Sequence, residues 1–205
     1  MIGIIDYGMG NLLSVKNAVE YLGFDTILIS SPEEIISCDK LILPGVGAFP
    51  HCMRNLQEKG FINQLNEEVL VKKKPIMGIC LGMQVMASFG DEVTRTKGLG
   101  WFDAEVVLMH PSDPKCRIPH VGWSETECQS GFLFKGIKGT PEFYFVHSYY
   151  MKCANEKDVA ATFDHGGKFI AVVMKENIIG CQFHPEKSQE HGLIVLQNFI
   201  EHSFH

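Results

Sequence analysis

Three short apolar runs in the first half of this chain each end in a glycine-rich turn. Ile2 to Asp6 runs into Tyr7-Gly8-Met9-Gly10-Asn11. Lys40 to Leu43 runs into Pro44-Gly45-Val46-Gly47, and Pro75 to Ile79 into the turn over residues 78–82. Thr26 to Ile29 reads as a further strand. Between these runs lie segments with helical patterning: Leu12 to Leu22 closed by Gly23, Pro32 to Ile36, Pro50 to Lys59 and Phe61 to Val71. Strands alternating with helices predict a mainly parallel sheet covered on both faces. In such sheets the functional site lies at the C-terminal strand ends, where all three glycine turns fall.

The third turn carries chemistry. In Gly78-Ile79-Cys80-Leu81-Gly82 a cysteine stands between two glycines, the pattern of a strand-to-helix nucleophile elbow with Cys in place of Ser. Such a turn is so sharp that side chains at the glycine positions would collide with the strand or the helix. Met83, Val85, Met86 and Phe89 are expected on one side of the following helix. Cys80 then sits at a helix N-terminus, whose free N–H groups favour a thiolate. The Leu81 N–H falls where it can stabilise an oxyanion. The competing reading is a buried structural cysteine on an apolar strand end, and a general base elsewhere in the chain decides between them. The first turn is too short for a phosphate-binding loop, lacks its Lys, and does not match a dinucleotide fingerprint.

With 205 residues the chain is expected to form a single domain over 1–205. The formal charge of -6, without a basic block, gives no reason to expect a nucleic-acid partner. No apolar run reaches membrane-spanning length, and Asp6 follows Met1 too soon for a signal peptide. The seven cysteines are scattered and form no Cys-x-x-Cys pair. A reduced, cytoplasmic protein without a disulfide framework, metal site or cofactor is therefore expected.

The second half changes character. Ala104 to Met109, the aromatic stretch Glu142 to Met151, Val159 to Phe163, Phe169 to Met174 and Ile178 to Phe183 read as strands. They predict a mixed or antiparallel extension of the sheet, closed by a helix from His191 to Phe199. The strand Ile178 to Phe183 delivers His184 at its end, and Pro185 halts it. Glu186 lies two positions on and can hydrogen-bond the imidazole. A base oriented by a carboxylate is what a Cys80 nucleophile needs. His-x-Glu also occurs in metal sites, but the other histidines make no compact ligand pair with it.

Gly-Ile-Cys-Leu-Gly-Met-Gln at 78–84 together with Gln-Phe-His-Pro-Glu at 182–186 resembles the class I (triad-type) glutamine amidotransferases. The turns over 6–12 and 44–49, Pro119-His120-Val121-Gly122-Trp123 and the stretch 144–149 are similar, within that class, to glutaminase subunits of imidazole glycerol phosphate synthases. The resemblance covers the whole chain. It implies a flavodoxin-like α/β fold and no cofactor. It implies a heterodimer with a (β/α)₈ cyclase subunit, which receives ammonia released from L-glutamine and makes imidazole glycerol phosphate in histidine biosynthesis.

On this resemblance Cys80, His184 and Glu186 form the catalytic triad. Val46 or Gly47 supplies an oxyanion N–H beside that of Leu81, and Gly47, Gln84, Ser148 and Tyr149 hold the glutamine. Met9, Gly10, Asn11, Trp123, Tyr144 and Lys187 match positions at the partner interface and ammonia gate. Read without the resemblance, Gln84 is a helix-surface residue, Tyr144 and Tyr149 pack the sheet, His120 and His147 are structural, and both Trp101 and Trp123 are core. The family usually carries Asn after the Gly-Trp pair, where this chain has Ser124. Paralogues of the subunit feed ammonia to a synthetase that makes an amidino sugar, and the triad is common to both.

Overall fold

A computed structural model describes residues 1–129 and 131–204; His205, one of the histidines outside the His184 motif, lies outside them. In chain order the elements are β1 (Ile2–Ile5), α1 (Leu12–Tyr21), β2 (Thr26–Ile29), β3 (Lys40–Gly45), α2 (Phe49–Glu58), α3 (Phe61–Asn66), β4 (Ile76–Cys80) and α4 (Leu81–Gln84). Then come β5 (Ala87–Gly90), β6 (Thr96–Lys97), β7 (Phe102–Leu108), β8 (His120–Cys128), β9 (Glu142–His147) and β10 (Tyr149–Cys153). β11 (Val159–Asp164), β12 (Lys168–Lys175), β13 (Ile178–Cys181) and α5 (Gln189–Glu201) complete the chain.

Nine strands form one sheet in the order β2-β1-β3-β4-β13-β12-β11-β8-β9. The half from β2 to β13 is parallel. From β13 onward each neighbour is antiparallel. The strands β1, β4 and β13 are buried at every residue, as a sheet covered on both faces requires. Leu41, Leu43 and Ile76 face α2 and α3. Ile4, Ile42, Met77 and Ile79 face α1 and α5. This is the expected α/β architecture with its antiparallel extension.

A second sheet, β10-β7-β5-β6, packs into the α2–α3 side through Phe102, Ala104, Val106 and Met151. The short strands β5 and β6 are not visible in the sequence pattern. The aromatic stretch Glu142 to Met151 is two strands in two sheets, divided at Ser148. Phe143 and Phe145 pack into one core, and Met151 into the other. Phe143, Phe145 and Met151 are all odd-numbered, so a continuous strand would turn them to one face, and the break at Ser148 lets them enter opposite cores.

Boundaries differ where tertiary contacts intervene. The helix expected over Phe61 to Val71 is α-helical only to Asn66 and continues as a π-turn over Glu67–Val71. Glu68, almost fully buried in that turn, pairs with Lys72 at 2.7 Å and Lys74 at 3.0 Å just before β4. The helix after Cys80 is a single turn, so Phe89 lies on β5 instead and stacks under Arg95 at 4.6 Å. The strand β13 stops at Cys181 rather than Phe183.

The end of α5 is tied to the start of β3. The Lys40 Nζ donates to the Phe199 carbonyl at 2.9 Å, the Ile200 carbonyl at 2.6 Å and the His202 carbonyl at 2.5 Å. Phe199 and Ile200 lie in the last turn, whose carbonyls find no N–H within the helix, and His202 is the cap residue just beyond it. Lys40→Met is expected to destabilise the protein by about 1–3 kcal/mol, read as a lower midpoint of urea unfolding.

Candidate active site

The three glycine turns meet at one edge of the sheet. A Cβ built on Gly82 would lie 1.8 Å from the Leu43 carbonyl oxygen, and one on Gly78 would lie 2.7 Å from the Gly82 backbone. On Gly45 it would meet the Tyr7 hydroxyl at 2.7 Å and the Gly82 nitrogen at 2.8 Å. Only glycine lets α4 lie this close to β3. The Tyr7 hydroxyl donates to the Pro44 carbonyl at 2.9 Å, which locks the first turn onto the second.

Cys80 adopts φ 53° and ψ -109°. That is strained for a residue with a side chain, by roughly 1–3 kcal/mol, and it thrusts the sulfur out of the strand. The sulfur lies 4.0 Å from the Val146 carbonyl oxygen, and the Gln182 side-chain amide donates to it at 3.7 Å.

His184 reaches the same place from a neighbouring strand. β13 pairs in parallel with β4, with Gly180 opposite Gly78 and Cys181 opposite Ile79. Beyond Cys181 the chain is held by backbone bonds. The Gln182 N–H donates to the Ala171 carbonyl at 2.8 Å, and the His184 N–H to the Tyr144 carbonyl at 2.9 Å. The second bond draws His184 against β9, which is why the strand stops early. The His184 Nδ1 bonds the Glu186 Oε1 at 2.8 Å. Because a carboxylate only accepts, this nitrogen carries the proton. The His184 Nε2 is buried without a hydrogen-bond partner.

Burial lowers the proton affinity of this imidazole, but Cys80 and Glu186 outweigh it and push its pKa up to about 9. His120 and His147 go the other way. Burial, aided by neighbouring histidines, pushes each down to about 4. The His120 Nε2 is 3.0 Å from the Ser124 hydroxyl, and the His147 Nδ1 is 2.8 Å from the Tyr149 carbonyl.

Val46, Gly47, Cys80, Leu81, Gln84, Ser148, Tyr149 and His184 line one cavity of about 320 Å³, near the lower end for small-molecule sites. Every residue expected to hold substrate or an oxyanion is therefore in its wall. Glu186 stands behind His184, outside it. Gln84 is buried rather than a helix-surface residue. Its amide donates to the Tyr149 carbonyl at 2.8 Å and to the Gln182 side-chain oxygen at 3.0 Å.

The residues expected at the partner interface do not line the cavity. Met9 packs beside Gly47, where a built Cβ would come within 2.7 Å of its methyl. Asn11 caps α1, accepting from the Ser14 N–H at 3.4 Å. Trp123 is 44% exposed, whereas Trp101 is buried and donates to Asn66. Trp123 meets Tyr144 edge-on at 6.0 Å, and the Lys187 Nζ lies 5.9 Å over the same Tyr144 ring.

The structure adds wall residues that the sequence reading gave no site role: Glu92, and Pro119, Val146 and His147 from the two motifs that carry the resemblance. Glu92 lies in the loop between β5 and β6 and accepts from the Phe49 N–H at 2.8 Å. With neither strand visible in the sequence, nothing brought that loop to the site.

A cysteine on a strained elbow, an imidazole oriented by a buried carboxylate and a cavity of amino-acid size are the parts that thiol-dependent acyl transfer requires. The family described as Glutamine amidotransferase class-I matches residues 3–202. The chain belongs to that family. It is similar to imidazole glycerol phosphate synthase subunit HisH 1 of Campylobacter jejuni (strain RM1221), at 48% identity over 98% of this chain and 99% of that one. It is similar to subunit HisH of Leptospira interrogans at 42% identity, over 97% of this chain and 98% of that one. A crystal structure described as glutamine amidotransferase superposes with a TM-score of 0.77 at 19% identity, covering 98% of this chain and 97% of that one. PurLQS from Thermotoga maritima gives 0.76 at 17% identity, covering 97% and 96%. Those two structures speak to the fold alone.

The histidines set opposite pH limits on this glutamine amidotransferase. His184 titrates at about 9, above its ordinary 6.5. Its pairing therefore stabilises the fold fully below pH 6.5, and that contribution is lost as pH rises through about 9. His120 and His147 titrate at about 4, below 6.5. Their neutral burial is favourable above pH 6.5 and is lost as pH falls through about 4. The stability gap between the parent and His184→Asn is expected to close above pH 9, and the parent's own stability to fall between pH 6.5 and 4. Urea unfolding across that range measures both.

Proposed function

We propose that this chain is the glutaminase subunit of an imidazole glycerol phosphate synthase, releasing ammonia from L-glutamine for a (β/α)₈ cyclase partner. The observation that carries the chemistry is the single cavity shared by Cys80, His184 and the glutamine-holding residues. The relatives at 42–48% identity over nearly the whole chain support the pathway.

In this reading the Cys80 sulfur attacks the side-chain carboxamide carbon of glutamine. The negative charge that develops on the carboxamide oxygen is met by the Leu81 N–H and by an N–H of the Val46–Gly47 segment. His184, charged and held by Glu186, gives its Nε2 proton to the departing nitrogen, and ammonia leaves a γ-glutamyl thioester. His184 then takes a proton from water as the water attacks the thioester, and glutamate is released. Gln84, Ser148 and Tyr149 hold the amino-acid end, and the Glu92 carboxylate at the wall suits an α-ammonium group.

Ammonia leaves toward the partner past Tyr144 and Lys187. Met9, Gly10, Asn11 and the exposed Trp123 form the contact with it. An exposed Trp among polar neighbours suits an interface. The contact of Met9 with Gly47 gives the partner a mechanical route to the oxyanion segment. The location is cytoplasmic in this reading.

Purified protein is expected to hydrolyse glutamine slowly alone and much faster with the cyclase subunit encoded in the same genome. Cys80→Ala is expected to lower the stimulated rate by roughly 10⁴-fold or more. Full activity without any partner would overturn the subunit assignment. Ser124, where the family usually carries Asn, and the segment Gly98-Leu99-Gly100-Trp101-Phe102-Asp103 are the departures that keep the amidino-sugar paralogue as the second reading. Ammonia transfer to that synthetase, but not to the cyclase's nucleotide intermediate, would move the protein to that pathway with the same triad.

A further inference from the structure

The Gln182 side chain is fully buried and serves no backbone group. It spans the gap between Gln84 and the Cys80 sulfur. Its neighbours decide which end of its amide faces the sulfur. The Tyr149 carbonyl can only accept, so the Gln84 group 2.8 Å away must be its NH₂. That same NH₂ lies 3.0 Å from the Gln182 amide, so Gln182 must present its oxygen there. The Gln182 NH₂ is left pointing at the Cys80 sulfur, 3.7 Å away. A flipped Gln182 would set two NH₂ groups against each other in a site closed to water.

A thiol sulfur is a weak acceptor, and a thiolate is a strong one. An N–H fixed on the sulfur therefore favours the charged form over the neutral form. The Val146 carbonyl, 4.0 Å from the sulfur, acts in the opposite sense because only a thiol can donate to it. His184 approaches from the cavity side and shuttles the proton. Gln182 comes from within the protein and keeps its protons throughout.

We infer that Gln182, oriented by Gln84 and the Tyr149 carbonyl, is a charge-setting residue of the nucleophile: it holds the Cys80 sulfur in its reactive thiolate form from the buried side. The inference rests on Cys80 being the nucleophile. The chain of amides also links the wall that holds the substrate to the sulfur, since Gln84 and Tyr149 belong to both.

The test is the pH dependence of Cys80 alkylation by iodoacetamide, read peptide by peptide by mass spectrometry, with no glutamine and no partner. The partly exposed Cys116 is the internal reference. In Gln182→Met the midpoint for Cys80 is expected to rise by about one pH unit, while the reference stays put. Gln182→Glu, which sets an acid against the sulfur, is expected to raise it further. Gln84→Met leaves the contact residue in place but frees its amide to turn, and a smaller rise is expected there. Near-ultraviolet circular dichroism selects the variants that keep the native fold. An unchanged Cys80 midpoint in any folded Gln182 variant overturns the inference. If both Gln182 variants fail to fold, an unchanged midpoint in Gln84→Met overturns it and a rise supports it. Failure of Cys80 to alkylate at any pH in the parent instead strikes at the nucleophile reading itself.

Discussion

The parallel pairing of β4 with β13 is the contact on which the site depends. Parallel neighbours run out at the same edge of a sheet, so the residues after one strand emerge beside the residues after the other. In this register Cys80 comes directly after Ile79, opposite Cys181, and His184 comes three residues after Cys181. A one-residue slip would turn every side chain of one strand to the opposite face. The register is protected by close packing. A Cβ on Gly180 would meet Met83 at 2.6 Å and Val173 at 2.9 Å, so the elbow helix rests directly on β13.

Around that pairing the protein keeps polar groups out of water in a graded way. The Glu186 and His184 side chains are almost fully covered, and the pair is tolerable because each partner stabilises the charge of the other. His120 and His147 are covered without a carboxylate and stay neutral. The Nε2 atoms of His184 and His147 are both buried without hydrogen-bond partners. Unsatisfied buried nitrogens are uncommon in protein interiors and gather where a ligand completes them. The strained backbone of Cys80 belongs to the same region. The strained backbone of Cys80 and the unpartnered Nε2 of His184 meet at one cavity, in front of the fully buried strands β4 and β13.

Much of this was legible in the chain. The apolar runs and their glycine turns identify the parallel strands because a strand buried on both faces must be apolar throughout. The elbow is legible because its geometry permits no side chain at Gly78 or Gly82. The pairing of His184 with Glu186 is legible because Pro185 marks a strand end and the carboxylate lies two positions on, within reach of the imidazole. The short strands β5 and β6 were not legible, since their residues are held by pairing with β7 rather than by any periodic pattern. Glu92 was hidden with them. The division at Ser148 was hidden too, because β-propensity runs unbroken through it and the break shows only in Phe145 and Met151, which have the same parity, entering opposite cores.

By itself the sequence determined the chemistry that local rules can enforce: which residues turn, which strands are buried, and which side chains have the reactivity for thiol-based acyl transfer. It also determined the family, because those residue types recur at family-specific spacings along the whole chain. Only the tertiary structure decided which groups share a cavity. It moved Gln84 from a helix surface into the site, separated the buried Trp101 from the exposed Trp123, and set the Gln182 amide against the sulfur. These outcomes depend on contacts between residues up to about a hundred positions apart, and such contacts exist only once the sheet has closed.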